Sequence, residues 1–121
     1  MIKLPKTEHQ VMKYIWDQNK SSVASKEIVN YMAKKHFWLK GTTGKVLSRL
    51  AEKEFLKSEK DGRNTIYTVL VDKEDYIKFE TKEFFSFVHD NSLSSIVSAL
   101  GECDSIDDED IKELEEWIKN R

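Results

Sequence analysis

The hydrophobic period of this 121-residue chain changes from helical to alternating at Phe55, and that change constrains the fold more than any other feature. Ahead of it, apolar residues recur at three- and four-residue spacing; behind it they alternate. Val11, Met12, Ile15 and Trp16 define one face of a first helix, opened by Pro5 and Thr7. Thr7 is the expected N-cap, and Gln10 completes a capping box. Asn19-Lys20-Ser21-Ser22 breaks the pattern. A second helix is expected after Ser25, with Glu27 near its positive N-terminal end and Ile28, Val29 and Met32 facing inward. Residues 35–41 read as a connector carrying Phe37 and Trp38, and a third helix over about 42–54 turns Val46, Leu47 and Leu50 to one side. Residues 55–59 and 65–69 then read as two strands joined by Lys60-Asp61-Gly62-Arg63-Asn64, a stretch of turn formers. Three short helices and a β-hairpin within residues 1–70 make the winged helix-turn-helix pattern.

From Val71 onward the period is helical again. Tyr76, Ile77, Phe84, Phe87 and Val88 fall on one face of a long helix, and Leu93, Ile96, Val97 and Leu100 mark a second stripe. Asp107 reads as an N-cap with Asp110 as its acidic partner, leading to a third stripe of Ile111, Leu114 and Ile118. Three stripes are too few to close a core in one copy. Their aromatic content (Tyr76, Phe79, Phe84, Phe85, Phe87, Trp117) points to packing against a second copy. The expected fold class is therefore mainly α with a small β-hairpin: a winged helix-turn-helix over 1–70, then a helical dimerisation region over 71–121. Tyr76, Phe84, Phe87, Val88, Ile96, Val97, Leu100, Ile111, Leu114 and Ile118 are the expected dimer contacts.

The net charge of −2, from 20 basic and 22 acidic residues, argues against a polyanion partner only until the charges are placed. Residues 1–70 hold 14 basic and 7 acidic residues, net +7; residues 71–121 hold 6 and 15, net −9. Such asymmetry between halves is a signature of nucleic-acid interaction. The acidic half would be repelled by a duplex, which helps to aim the basic half at it. The longest apolar run is only a few residues, far short of the roughly 20 that a membrane helix needs. The N-terminal residues contain no apolar segment of signal-peptide length, so the expected location is cytoplasmic, without membrane insertion.

On a helical wheel the third helix sorts into two faces. Thr43, Val46, Leu47 and Leu50 cluster toward the core; Gly41, Lys45 and Ser48 sit opposite, with Thr42 and Arg49 on the flank. Small residues, hydroxyls and cations suit close approach to a DNA groove, where Ser and Thr bond phosphate or base edges and Lys and Arg neutralise phosphate or read guanine. Glu52, two turns along, confines contact to the first two turns. In the hairpin, Lys57, Lys60 and Arg63 would form a wing clamping phosphate. The expected DNA-binding set is Lys40, Gly41, Thr42, Thr43, Lys45, Ser48, Arg49, Lys60 and Arg63. Arg49 has two readings: a phosphate contact, or a structural ion pair with Glu27 or Glu52. A winged helix that uses its basic face for an acidic protein partner is the alternative function.

Other constellations fail on spacing. Gly41-Thr42-Thr43-Gly44-Lys45-Val46 has two residues between its glycines where a nucleotide-binding loop needs four, and Val46 where it needs Ser or Thr. His9, His36, His89 and Cys103 show no metal-ligand spacing, and a single cysteine excludes a disulfide framework. Glu102 and Asp104 disfavour a Cys103 thiolate. No catalytic site, cofactor or metal is expected.

The chain resembles the penicillinase-repressor family of bacterial transcription regulators (BlaI/MecI/CopY type) over nearly its whole length. The resemblance is carried by Glu8-His9-Gln10-Val11-Met12, Ile15-Trp16 and Ala24-Ser25-Lys26-Glu27-Ile28; then by Trp38, Thr42, Leu47-Ser48-Arg49-Leu50, Lys53 and Phe55-Leu56. Lys82, Ser95-Ile96-Val97, Asp110-Ile111 and Glu113-Leu114 carry it through the second half. It implies a homodimeric repressor whose winged helices each bind half of a palindromic double-stranded operator. It also implies, for the β-lactam branch, a membrane sensor-protease as partner. At the cleavage position the family carries Asn-Phe and this chain carries Ala99-Leu100, so that bond does not carry over. The copper branch has a multi-cysteine metal site, against which this chain sets Cys103 alone. Family members place a β-branched apolar residue at Thr43, a basic one at Gly44 and Thr at Lys45, so the operator sequence does not carry over either.

Overall fold

The structure, a computed structural model, describes all residues from Met1 to Arg121. Two compact units divide the chain, Met1–Phe79 and Glu80–Arg121.

In the first unit, α1 (Lys6–Asp17), β1 (Ser22–Ala24), α2 (Ser25–His36), α3 (Lys40–Glu52), β2 (Leu56–Asp61) and β3 (Asn64–Val69) follow in order, and α4 (Lys73–Phe87) begins there. The architecture is a winged helix. The strands form an antiparallel sheet in the order β1-β3-β2. The hairpin register pairs Asp61 with Asn64, leaving Gly62 and Arg63 as a two-residue turn. Gly62 has φ +63° while Arg63 stays at negative φ, the pattern of a type II′ turn. A side chain at Gly62 would meet nothing within 4 Å, so backbone conformation and not space selects glycine there.

Helices α1, α2 and α3 bury the stripes their spacing predicts. Val11, Met12, Ile15 and Trp16 from α1, Ile28 and Met32 from α2, and Val46, Leu47 and Leu50 from α3 meet Phe55, Leu56 and Tyr67 of the hairpin in one core. Val29, expected inward, is half-buried. The hairpin strands run to 56–61 and 64–69, longer than expected, and other boundaries differ from expectation for local reasons. Helix α1 starts at Lys6 with Pro5 as N-cap, whose carbonyl accepts the His9 amide at 2.9 Å; Thr7 lies inside the first turn and caps nothing. Helix α3 starts at Lys40, two residues before its expected start, with Leu39 as an N-cap that offers no side-chain bond. Strand β1 exists only through its pairing with β3, Val23 opposite Tyr67. The first unit runs on to Phe79 and does not stop at Leu70, because Tyr76 belongs to its core.

Tyr76 is fully buried among the rings of His9, Trp16, Phe55 and Phe79, at centroid separations of 5.1–6.2 Å. Its hydroxyl accepts the Leu4 amide at 2.7 Å, and Trp16 Nε1 donates to the Val71 carbonyl at 2.9 Å. The opening residues and the start of α4 are thereby tied into the winged helix.

The second unit holds the end of α4, then α5 (Leu93–Glu102) and α6 (Asp108–Lys119). The expected capping box is present: Asp107 accepts from the Asp110 amide and Asp110 from the Asp107 amide, each at 2.9 Å. Ser92 caps α5, accepting the Ser95 amide at 3.2 Å. No residue of this unit is buried. No helix in the chain is long and apolar enough to cross a membrane.

Candidate nucleic-acid interface

Helix α3 presents its two faces as the wheel requires. Val46, Leu47 and Leu50 are buried, whereas Lys40, Gly41, Thr42, Lys45, Ser48 and Arg49 are exposed. Its first turn carries no acidic residue. Arg49 is exposed and forms no ion pair with Glu27 or Glu52. From Ile28 to Ala51 the chain holds five cations (Lys34, Lys35, Lys40, Lys45, Arg49) and no carboxylate.

Thr43 is a correction to the expected contact set. It is fully buried on the core side of α3, and its hydroxyl has no hydrogen-bond partner, so its side chain cannot reach a duplex. The helical period places residue 43 with 46, 47 and 50, which outweighs its proximity in sequence to the exposed Thr42.

The wing projects Lys60 and Arg63 from the hairpin tip, both exposed, with Lys60 Nζ donating to Thr65 Oγ1 at 3.1 Å. Lys57, counted with them in the sequence reading, sits 3.3 Å from the Glu59 carboxylate and is partly neutralised by it. A cleft of about 380 Å³ joins the wing to the helices; Lys26, Asn30, Lys40, Arg63 and Thr65 are among its lining residues. It brings Lys40 and Arg63, 23 positions apart, to one place and adds Lys26 from the first turn of α2. Sequence reasoning missed Lys26. The available signal was its position: a cation in the first turn opposes the helix dipole, and an anionic ligand there would relieve that opposition. Away from these residues, Tyr14 stacks on Tyr31 with ring centroids 4.1 Å apart, and burial, followed by the Glu27 charge and Tyr31, raises its phenol above the ordinary value.

In the second unit, Phe84, Phe87, Val88, Val97, Leu100, Ile111, Leu114 and Ile118 are all exposed, Phe87 to 86%, and Ile96 is half-buried. Tyr76 is the correction to this set: its ring and hydroxyl are both engaged in the core of the first unit and offer nothing to a partner. At the α4–α5 junction, His89 Nδ1 lies 2.7 Å from Ser95 Oγ, and the His89 ring meets Phe84 edge-on at 4.9 Å. Ala99 and Leu100 lie within α5, both exposed.

Comparison with known proteins agrees with this architecture. The penicillinase repressor of Bacillus licheniformis is 33% identical over 127 aligned positions, covering 100% of this chain and 98% of the relative. The methicillin resistance regulatory protein MecI of Mammaliicoccus sciuri is 27% identical over 115 positions, covering 94% of this chain and 91% of that one. Among solved structures, the DNA-binding domain of the repressor BlaI is similar with a TM-score of 0.53 and 35% identity over 63% of this chain and 94% of that one. The monomeric form of Bacillus licheniformis BlaI, solved in complex with the blaP half-operator, gives 0.53 and 31% over 62% and 89%. The sequence pattern of the penicillinase repressor family matches residues 4–120, so the chain belongs to that family, which is one of transcriptional repressors and not of enzymes.

Proposed function

We propose that this protein is a DNA-binding transcriptional repressor that acts as a homodimer on a palindromic operator, with α3 in the major groove and the β2–β3 wing on the phosphate backbone. The observation that carries this reading is the outward face of α3, small at Gly41 and Thr42 and cationic at Lys40, Lys45 and Arg49, with no carboxylate ahead of Glu52 at the end of the helix. The BlaI relative, whose half-operator complex has been solved, supports it. The dimer is supported by the second unit, which buries no residue of its own and leaves Phe84, Phe87, Leu114 and Ile118 in water. Two-fold symmetry then requires half-sites one helical turn, or a multiple of it, apart. With about three to five phosphates neutralised per subunit, the logarithm of the affinity falls with the logarithm of salt at a slope of about −5 to −9. Anisotropy titrations on duplexes selected from a random library test this. Lys45→Ala and Arg49→Ala are expected to weaken binding while sedimentation leaves the dimer intact. Wild-type affinity in both variants, without salt dependence, would contradict the reading.

A further inference from the structure

The turn between α2 and α3 holds two large apolar side chains that the fold does not use. Phe37 is 88% exposed and Leu39 77% exposed. Phe37 also adopts φ +59°, the left-handed region that glycine enters freely and a bulky residue does not. The turn closes without help from its ring. The Phe37 amide donates to the Ala33 carbonyl at 3.1 Å and the Trp38 amide to the Met32 carbonyl at 3.3 Å. Trp38, the next residue, packs against the core and supplies the apolar contact that such a helix ending normally carries. Leu39 stands where a side-chain oxygen would cap α3 and caps nothing. Both positions thus hold residues worse for local stability than glycine and serine. Strain kept at an exposed site points to a ligand.

We infer that Phe37 and Leu39 are specificity-determining residues, an apolar pair at the leading end of α3 that packs on thymine methyl groups of the operator. The surroundings select a duplex as the occupant. Lys34, Lys35 and Lys40 flank the pair in sequence with no carboxylate among them, a setting that suits a polyanion. The pair is continuous with Gly41 and Thr42, the small residues that open the outward face of α3. Of the groups exposed in the major groove, the 5-methyl of thymine is the apolar one. An apolar side chain beside short polar ones therefore adds base discrimination that Gly41 and Thr42 alone do not provide.

The inference rests on the DNA-binding reading, and one set of measurements separates the two. Full-length wild type is used to enrich duplexes from a random-sequence library, and the enriched duplex is remade with uracil in place of thymine. Wild type is expected to lose about fourfold in affinity per methyl contact on the uracil duplex, the order expected for one buried methyl group. Phe37→Gly and Leu39→Ser are each expected to bind the thymine duplex more weakly and to lose the share of the uracil effect that belongs to the residue replaced. The double variant is expected to be insensitive to the exchange, and all three are expected to keep the wild-type salt slope, because no cation is removed. Their thermal midpoints are expected to stay level or rise, since glycine accepts the left-handed turn and serine caps α3. Wild-type affinity in both variants overturns the inference. So does a lowered midpoint, which assigns the pair to the fold, or an equal loss on both duplexes, which assigns it to the sugar. Failure of wild type to enrich any sequence overturns the DNA-binding reading itself, and this inference with it.

Discussion

Glu8 and Lys53 show how far single residues escape a reading of the sequence. They lie 45 positions apart, yet form an ion pair that joins α1 to the end of α3, with Glu8 Oε1 accepting from Lys53 Nζ. Nothing local marks them, since a carboxylate beside an apolar stripe reads as a solvated flank; only the family resemblance picks them out. Their environments are unequal. The Glu8 side chain keeps 3% of its exposure and that of Lys53 keeps 26%, so the ammonium can turn to water and the carboxylate cannot. Lys53→Met is therefore expected to destabilise the fold by about 3 kcal/mol, because it strands a buried charge. Glu8→Gln is expected to cost less, and denaturant titration of the two variants checks the order. Thr43 carries a second prediction of opposite sign. Its buried hydroxyl lacks a partner, so Thr43→Val is expected to stabilise by about 1 kcal/mol. For a unit of this size that corresponds to a rise of several degrees in melting temperature, roughly 4–8 °C, with DNA affinity unchanged. A loss of affinity would return Thr43 to the reading face.

At the scale of elements, legibility followed how much signal each element carries by itself. The stripes of α1, α2 and α3 and the turn-forming tip of the hairpin were readable because burial enforces the period and Gly62 meets a backbone requirement. Strand β1 was not readable: three residues with one buried side chain cannot display alternation, and its identity comes from β3. The start of α3 was misplaced because the capping rule seeks a hydroxyl or a carboxamide, and the residue at the cap is Leu39. The elements also divide the work expected of the interface. Lys60 and Arg63 stand on a hairpin tip, where the proposed contact is with phosphate, so Lys60→Ala and Arg63→Ala are expected to weaken binding to all duplexes alike. Each is expected to reduce the salt slope by about one. Lys45 and Ser48 face outward from α3, and their replacement by Ala is expected to change which sequences a library selection returns. Altered preference from the wing variants, with unaltered preference from the helix variants, would reverse these assignments.

For the whole molecule, the charge boundary and the folding boundary fall at different places. The sign of the net charge changes near Leu70, but the first unit ends at Phe79, with 16 basic and 10 acidic residues up to that point and 4 and 12 beyond it. A periodicity argument assigns Tyr76 to the apolar face of α4; it has no means of telling which unit that face serves at each turn. The distinction governs how the chain can be cut. Removal of residues 71–121 takes away Tyr76, leaves the Leu4 amide without its acceptor and deprives Trp16 Nε1 of the Val71 carbonyl. Losing a fully buried aromatic costs about 3–5 kcal/mol, much of the stability a domain of this size possesses. Residues 1–79 keep all of these contacts. The shorter fragment is therefore expected to unfold at low denaturant, and the longer one to fold cooperatively. The longer fragment is expected to sediment as a monomer, because the exposed apolar residues from Phe84 to Ile118 are gone. Without a linked second copy, its operator affinity is expected to fall by about 100-fold or more, although every residue proposed to touch DNA is still present. A fragment of residues 1–79 that dimerises and binds as tightly as the full chain would move the dimer interface into the winged helix and leave the acidic unit without its assigned role.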